Sequence, residues 1–137
     1  MVISVNHSIG QDCQHWIDAL RAERGLLTGH RSHLQELVEK GSIPHAELPA
    51  VDHFDNQFEI QLSNVNHLKH AIKDHIHSVK TTPAGQLSAP HLIVYESLSD
   101  QFLALSAAIE RLMQEFTDFC EAIQSGKQNP SISFQGS

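Results

Sequence analysis

The chain has 137 residues, 40% of them hydrophobic and 18% charged, with a formal net charge of −7 when its histidines are neutral. A chain of this length buries roughly two-thirds of the surface that its unfolded form exposes, so one core suffices without metal or disulfide. The acidic balance, with no run of Lys or Arg, argues against nucleic acid or a membrane as partner.

Histidine is the unusual residue. There are eleven, against nine Lys and Arg together, and full protonation would carry the net charge from −7 to +4. At ordinary imidazole values that swing falls at about pH 5.5 to 7.5. The start, Met1 to His7, has no basic segment followed by a long apolar run, so no signal peptide is expected. No stretch reads as the ~20 apolar residues of a membrane span. Two cysteines, Cys13 and Cys120, are too few for a disulfide scaffold, and a reducing cytoplasm is the expected compartment.

Three helix signals follow in chain order. Ser8 and Gln11 fit a capping box that opens a first helix over about residues 9–40. Cys13, Trp16, Ile17, Leu20, Leu27, Leu34, Leu37 and Val38 recur on it at helical spacing, and Gly41 stands where a left-handed cap is needed. Gly25, Gly29 and Ser32 lie on its outer face, where they would mark a bend or admit a close partner helix.

Pro49 opens the second helix, over about 49–79. Val51, Phe58, Val65, Ile72 and Val79 repeat every seven residues, with Phe54, Gln61, Leu68 and His75 completing the seam. The run Thr81 to Gly85 stops it. Ser88 and Pro90 start the third helix, over about 89–125, with Gly126 as its stop. Leu98, Phe102, Leu105, Ile109, Leu112, Phe116, Phe119 and Ile123 form its stripe, widened by Leu103, Met113 and Cys120.

Helices of ~30 residues are about 45 Å long, and short links make neighbours antiparallel. The expectation is an all-α, up-down-up bundle of three long helices, one domain over 1–126 with a tail over 127–137. A rod this thin invites dimerisation. Glu23 and His30 fall at core positions of the first helix, with His30 near Gln61, and read as a buried polar layer. Trp16 reads as a core anchor at one bundle end.

Two histidine sets carry candidate metal chemistry. If the first two helices turn near residues 43 to 45, facing residue numbers sum to about 88, which brings Cys13 to His75. A turn near residue 84 makes the second sum about 168 and brings His91 to the same end. A thiolate and two imidazoles match three ligands of a tetrahedral zinc site. The other set is a ridge on the second helix, His67, His70, Asp74 and His77, spaced for transition-metal chelation but facing solvent. The same heights put Cys120 ~40 Å from Cys13 along the bundle, beyond any disulfide.

The segment Asp52-His53-Phe54-Asp55-Asn56-Gln57-Phe58, with Leu68-Lys69-His70, resembles uncharacterised small bacterial helical-bundle proteins. That resemblance implies a helical fold and brings no activity or site residues. In size and class the chain also resembles hemerythrin-like di-iron proteins. Gln57, however, puts an amide where their His-x3-Glu motif needs a carboxylate, and no His follows His91. A di-iron site is therefore not expected.

No nucleophile, base and orienting group can be assembled from the sequence, so an enzyme is not the expected class. The reading is a non-enzymatic helical interaction module that forms a dimer or takes a protein partner, with no cofactor expected. The competing reading is a His-rich bundle that binds zinc or iron.

Overall fold

Apolar residues at helical spacing build three long helices in the computed structural model, which describes residues 2–83 and 89–125. They are α1 (Val2–Glu39), α2 (Leu48–Thr81) and α3 (Ala89–Gln124), with one 3₁₀ turn, His45–Glu47, between the first two. The up-down-up bundle expected from the sequence is what forms, and no strand occurs among the described residues. The expected Ser88 cap, Gly126 stop and 127–137 tail lie outside the described residues.

The first boundary differs from expectation. The helix runs back through Ser8 to Val2, so Ser8 is no cap. Once a helix is nucleated, each further residue adds a backbone hydrogen bond at little cost, and that gain overrides a favourable cap residue. At the other end, Gly41 does stop α1. Its φ is 69°, its N–H bonds to the Val38 carbonyl, and the Ser42 N–H reaches back to the Leu37 carbonyl, each at 3.0 Å. This is the paired hydrogen-bond pattern of a Schellman cap, and Gly meets its left-handed geometry without a Cβ penalty. Ile43 is buried just beyond it. Pro49 then sits in the first turn of α2, where its missing N–H costs nothing.

The core is one continuous cluster from all three helices. Cys13, Leu20, Leu27 and Leu34 on α1, Phe58, Val65 and Ile72 on α2, and Ile109 and Phe116 on α3 are its fully buried members. Its two ends differ in chemistry. Toward the Gly41 link, Phe54, Phe58 and Phe116 lie with ring centroids 5.1 to 6.3 Å apart. At the opposite pole Trp16 stacks on Tyr95 at 5.5 Å and on Phe102 at 5.9 Å, as the expected anchor.

Packing is closest between α1 and α2 and loosest between α1 and α3. Leu103, expected to widen the buried stripe, is instead 62% exposed, because its angle on α3 points past α1. By length and composition α3 is long and apolar enough to cross a membrane, which corrects the reading that no stretch is. An 18-residue window within it carries at most two Asp, Glu, Lys or Arg, and 17% of that window is buried in the bundle.

Two substitutions test this construction by chemical denaturation followed through helical circular dichroism. Phe58→Ala empties a fully buried site and should cost about 3–5 kcal/mol. Gly41→Ala forces a Cβ into the left-handed region and should cost about 1–2 kcal/mol, leaving helix content unchanged.

Candidate functional site

Hydrogen bonds between helices set the heights of their side chains. The Arg31 guanidinium grips the Asp55 carboxylate, Nε at 2.8 Å and the second nitrogen at 3.3 Å, so level residues on α1 and α2 sum to about 86. His91 Nε2 lies 3.3 Å from both Ser78 Oγ and Thr82 Oγ1, which fixes α3 against α2. The Tyr95 hydroxyl donates to Asp12 at 2.5 Å, and Ser106 donates to Glu23 at 2.8 Å. Both pairs differ by 83 in number, as parallel helices require.

These heights bring Cys13, His75 and His91 to the pole that also holds Asp12, Trp16 and Tyr95. Cys13 is wholly buried and His75 is 4% exposed. Burial, with the Asp12 carboxylate adding to it, pushes the Cys13 thiol up to about 11. At neutral pH it is a thiol and not a thiolate nucleophile. The hydrogen bond to Asp12, then burial and the Asp12 and Cys13 charges, push the Tyr95 phenol up to about 12. Burial, and secondarily the charge of His91, hold His75 below the ordinary imidazole value. The His75 Nε2 is buried with no hydrogen-bond partner, so the neutral ring is the form that this apolar end accepts.

The pole thus encloses Cys13, Trp16 and His75, with the Asp12 carboxylate hydrogen-bonded to Tyr95 beside them. Among the described residues no three His, Cys, Asp or Glu side chains converge as a group that could hold a metal ion. That holds for Cys13, His75 and His91, and equally for His67, His70, Asp74 and His77, which stand exposed along α2. His67 borders a shallow groove between α2 and α3, with Ala104 and Ala108 opposite it.

The expected polar layer is arranged differently. His30 stacks against Phe58 at 6.4 Å and tilts on Phe116 at 5.4 Å, while Gln61 accepts a hydrogen bond from Asn64 on its own helix. Burial, then the charge of His33, lowers the His30 value. Glu23 takes its partner, Ser106, from α3. Asp12 and Ser106 escaped sequence reading because each meets its partner, Tyr95 and Glu23 respectively, only through the α1–α3 register. Both cysteines are free, in keeping with their expected separation.

No family model, curated protein or solved structure matches this chain. Its own residues therefore carry the functional reading.

His75 makes the pole sensitive to acid. Its folded value lies below the unfolded value near 6.5, so the unfolded state binds more protons between the two. The stability that neutral His75 contributes is full above about pH 6.5 and is lost as pH falls through the folded value. Urea unfolding across this range should show a shallower decline in His75→Leu than in the unaltered chain. His30 acts in the same direction and keeps some slope.

Proposed function

We propose that this chain is a non-enzymatic helical interaction module that pairs with a second copy of itself through the outer face of α3. The observation that carries this reading is the exposure of large apolar side chains on that helix: Ile93 at 65% and Leu103 at 62%, with Leu92 and Val94 flanking Ile93. Isolated exposed apolar residues are ordinary, but Ile93 and Leu103, the two most exposed large apolar side chains among the described residues, share one face of the most apolar helix.

A second copy suits that face in charge. Along α3 the residues Ile93, Glu96, Asp100, Leu103, Ala107 and Arg111 follow one exposed line at helical spacing. Two such helices, antiparallel about a twofold axis between Leu103 and Ala104, set Leu103 against the small Ala104 of the second copy. The same axis sets Arg111, the sole Arg or Lys of α3, level with Glu96 of the second copy, twice by symmetry. Sedimentation at micromolar concentration should give twice 15.3 kDa. Leu103→Lys should give monomer, and Arg111→Glu should weaken the dimer, with Glu96→Arg restoring it. A chain that sediments as a monomer, or a dimer indifferent to Leu103→Lys, removes the reading.

Transition-metal binding at the pole is a second reading, supported by one observation, the buried and unpartnered Nε2 of His75 at the height of Cys13 and close to His91. Mass spectrometry of untagged protein, purified without chelators or immobilised metal, tests it. Zinc or iron near one per chain, lost in Cys13→Ser or His75→Ala, supports this reading, and metal far below that ratio removes it.

A further inference from the structure

Folding gathers positive charge that the linear sequence keeps apart. Arg21 and Arg24 stand one turn apart on α1, and Lys69 and Lys73 one turn apart on α2. The Arg31–Asp55 pair sets Arg21 level with residue 65 of α2. Side chains lean toward the N-terminus of their own helix, and these two helices run in opposite directions. The arginine heads and the lysine heads therefore lean toward each other over the α1–α2 seam. Lys69 is half-buried there and the other three are exposed.

Four of the nine Lys and Arg residues thus share one patch on a chain that carries sixteen carboxylates. The patch is poorly neutralised. Arg21 has only a loose contact with Asp18 on its outer side, at 3.8 Å and with both side chains more than half exposed. Among the described residues no salt bridge involves Arg24, Lys69 or Lys73, whereas Arg31 and Lys40 both have carboxylate partners. Burial first, then the charges of Lys73, Arg24 and Arg21, push the Lys69 ammonium below its ordinary value. Like charges held this close repel, and an anion placed among them would relieve that repulsion.

We infer that the α1–α2 seam at Arg21, Arg24, Lys69 and Lys73 is a binding site for a compact, multiply charged phosphate-type anion. Two guanidinium forks match phosphate oxygens in pairs, and two ammonium groups add point charges. Helix axes in contact lie about 8–10 Å apart, a span that one or two phosphate groups bridge. A long polyanion is a worse fit, because the remaining surface of a chain at −7 repels it. The site is separate from both the pole and the outer face of α3.

Calorimetric titration of the full chain with sodium pyrophosphate, at ionic strength held constant with sodium chloride, tests this. One pyrophosphate should bind per chain, with affinity about tenfold or more weaker in an Arg24→Gln, Lys69→Gln double variant. The free variant should be at least as stable as the unaltered chain, since it has lost repulsion rather than packing. Lys73→Gln, at an exposed position, gives an independent loss of affinity if the double variant does not fold. A parallel titration with a nucleoside diphosphate separates the sources. Equal affinity identifies the phosphate groups alone as the ligand, and tighter binding identifies a nucleotide. No binding beyond the chloride control, or binding unchanged in the variants, overturns the proposal.

Discussion

One register governs this molecule: α1 lies against α2 so that level residues sum to about 86, held by the Arg31–Asp55 pair and the short link at Gly41. Solvent screening leaves such a half-exposed ion pair worth no more than about 1 kcal/mol, so its weight is in position and not in energy. The apolar seam supplies the energy. A slip of one helical turn, about 5.4 Å, would carry His75 away from Cys13 and the arginines of α1 away from Lys69. The Schellman cap makes such a slip costly, because it ends α1 at one residue and turns the chain at once toward Ile43 and the start of α2.

How much of this was legible follows from what each signal reports. Heptad spacing identifies inward faces, so Phe58, Val65, Ile72 and Ile109 were evident as core, and Gly41 and Pro49 marked their boundaries correctly. Spacing does not say how wide a face the neighbours cover. Leu103 and Val38 both belong to apolar stripes and both stand at the uncovered margin. Ser8 shows the limit of local signals, since a good cap residue does not end a helix that gains by continuing. At the pole, loop positions alone joined Cys13, His75 and His91 to within a turn. Asp12, Ser78 and Thr82 needed the actual angles of three helices. The cation patch was invisible for another reason: its arginine pair and its lysine pair lie 45 or more residues apart on different helices, so a search for runs of Lys and Arg passes over it.

The eleven histidines do not act as one group, although composition presents them so. His30 and His33 pack against Phe116, at 5.4 and 6.3 Å, and belong to the phenylalanine-rich end. His75 is enclosed at the pole, and His91 is tied there to Ser78 and Thr82. His67, His70 and His77 stand on the solvent side of α2. An imidazole in water gains a proton freely, and one inside a core must be left neutral or break its surroundings. Burial holds His30 at one end and His75 at the other below the ordinary imidazole value, so protonating either one costs the fold stability.

The division of aromatic residues between the two ends has an optical consequence. The chain has one Trp and one Tyr, and both lie at the pole, stacked 5.5 Å apart, while the far end is built from Phe and His. Intrinsic fluorescence excited in the indole band therefore reports on one end of the bundle alone, and circular dichroism reports on all three helices. Where the two signals part company during unfolding, the pole has loosened ahead of the rest. Where they coincide, the rod melts as a single cooperative unit.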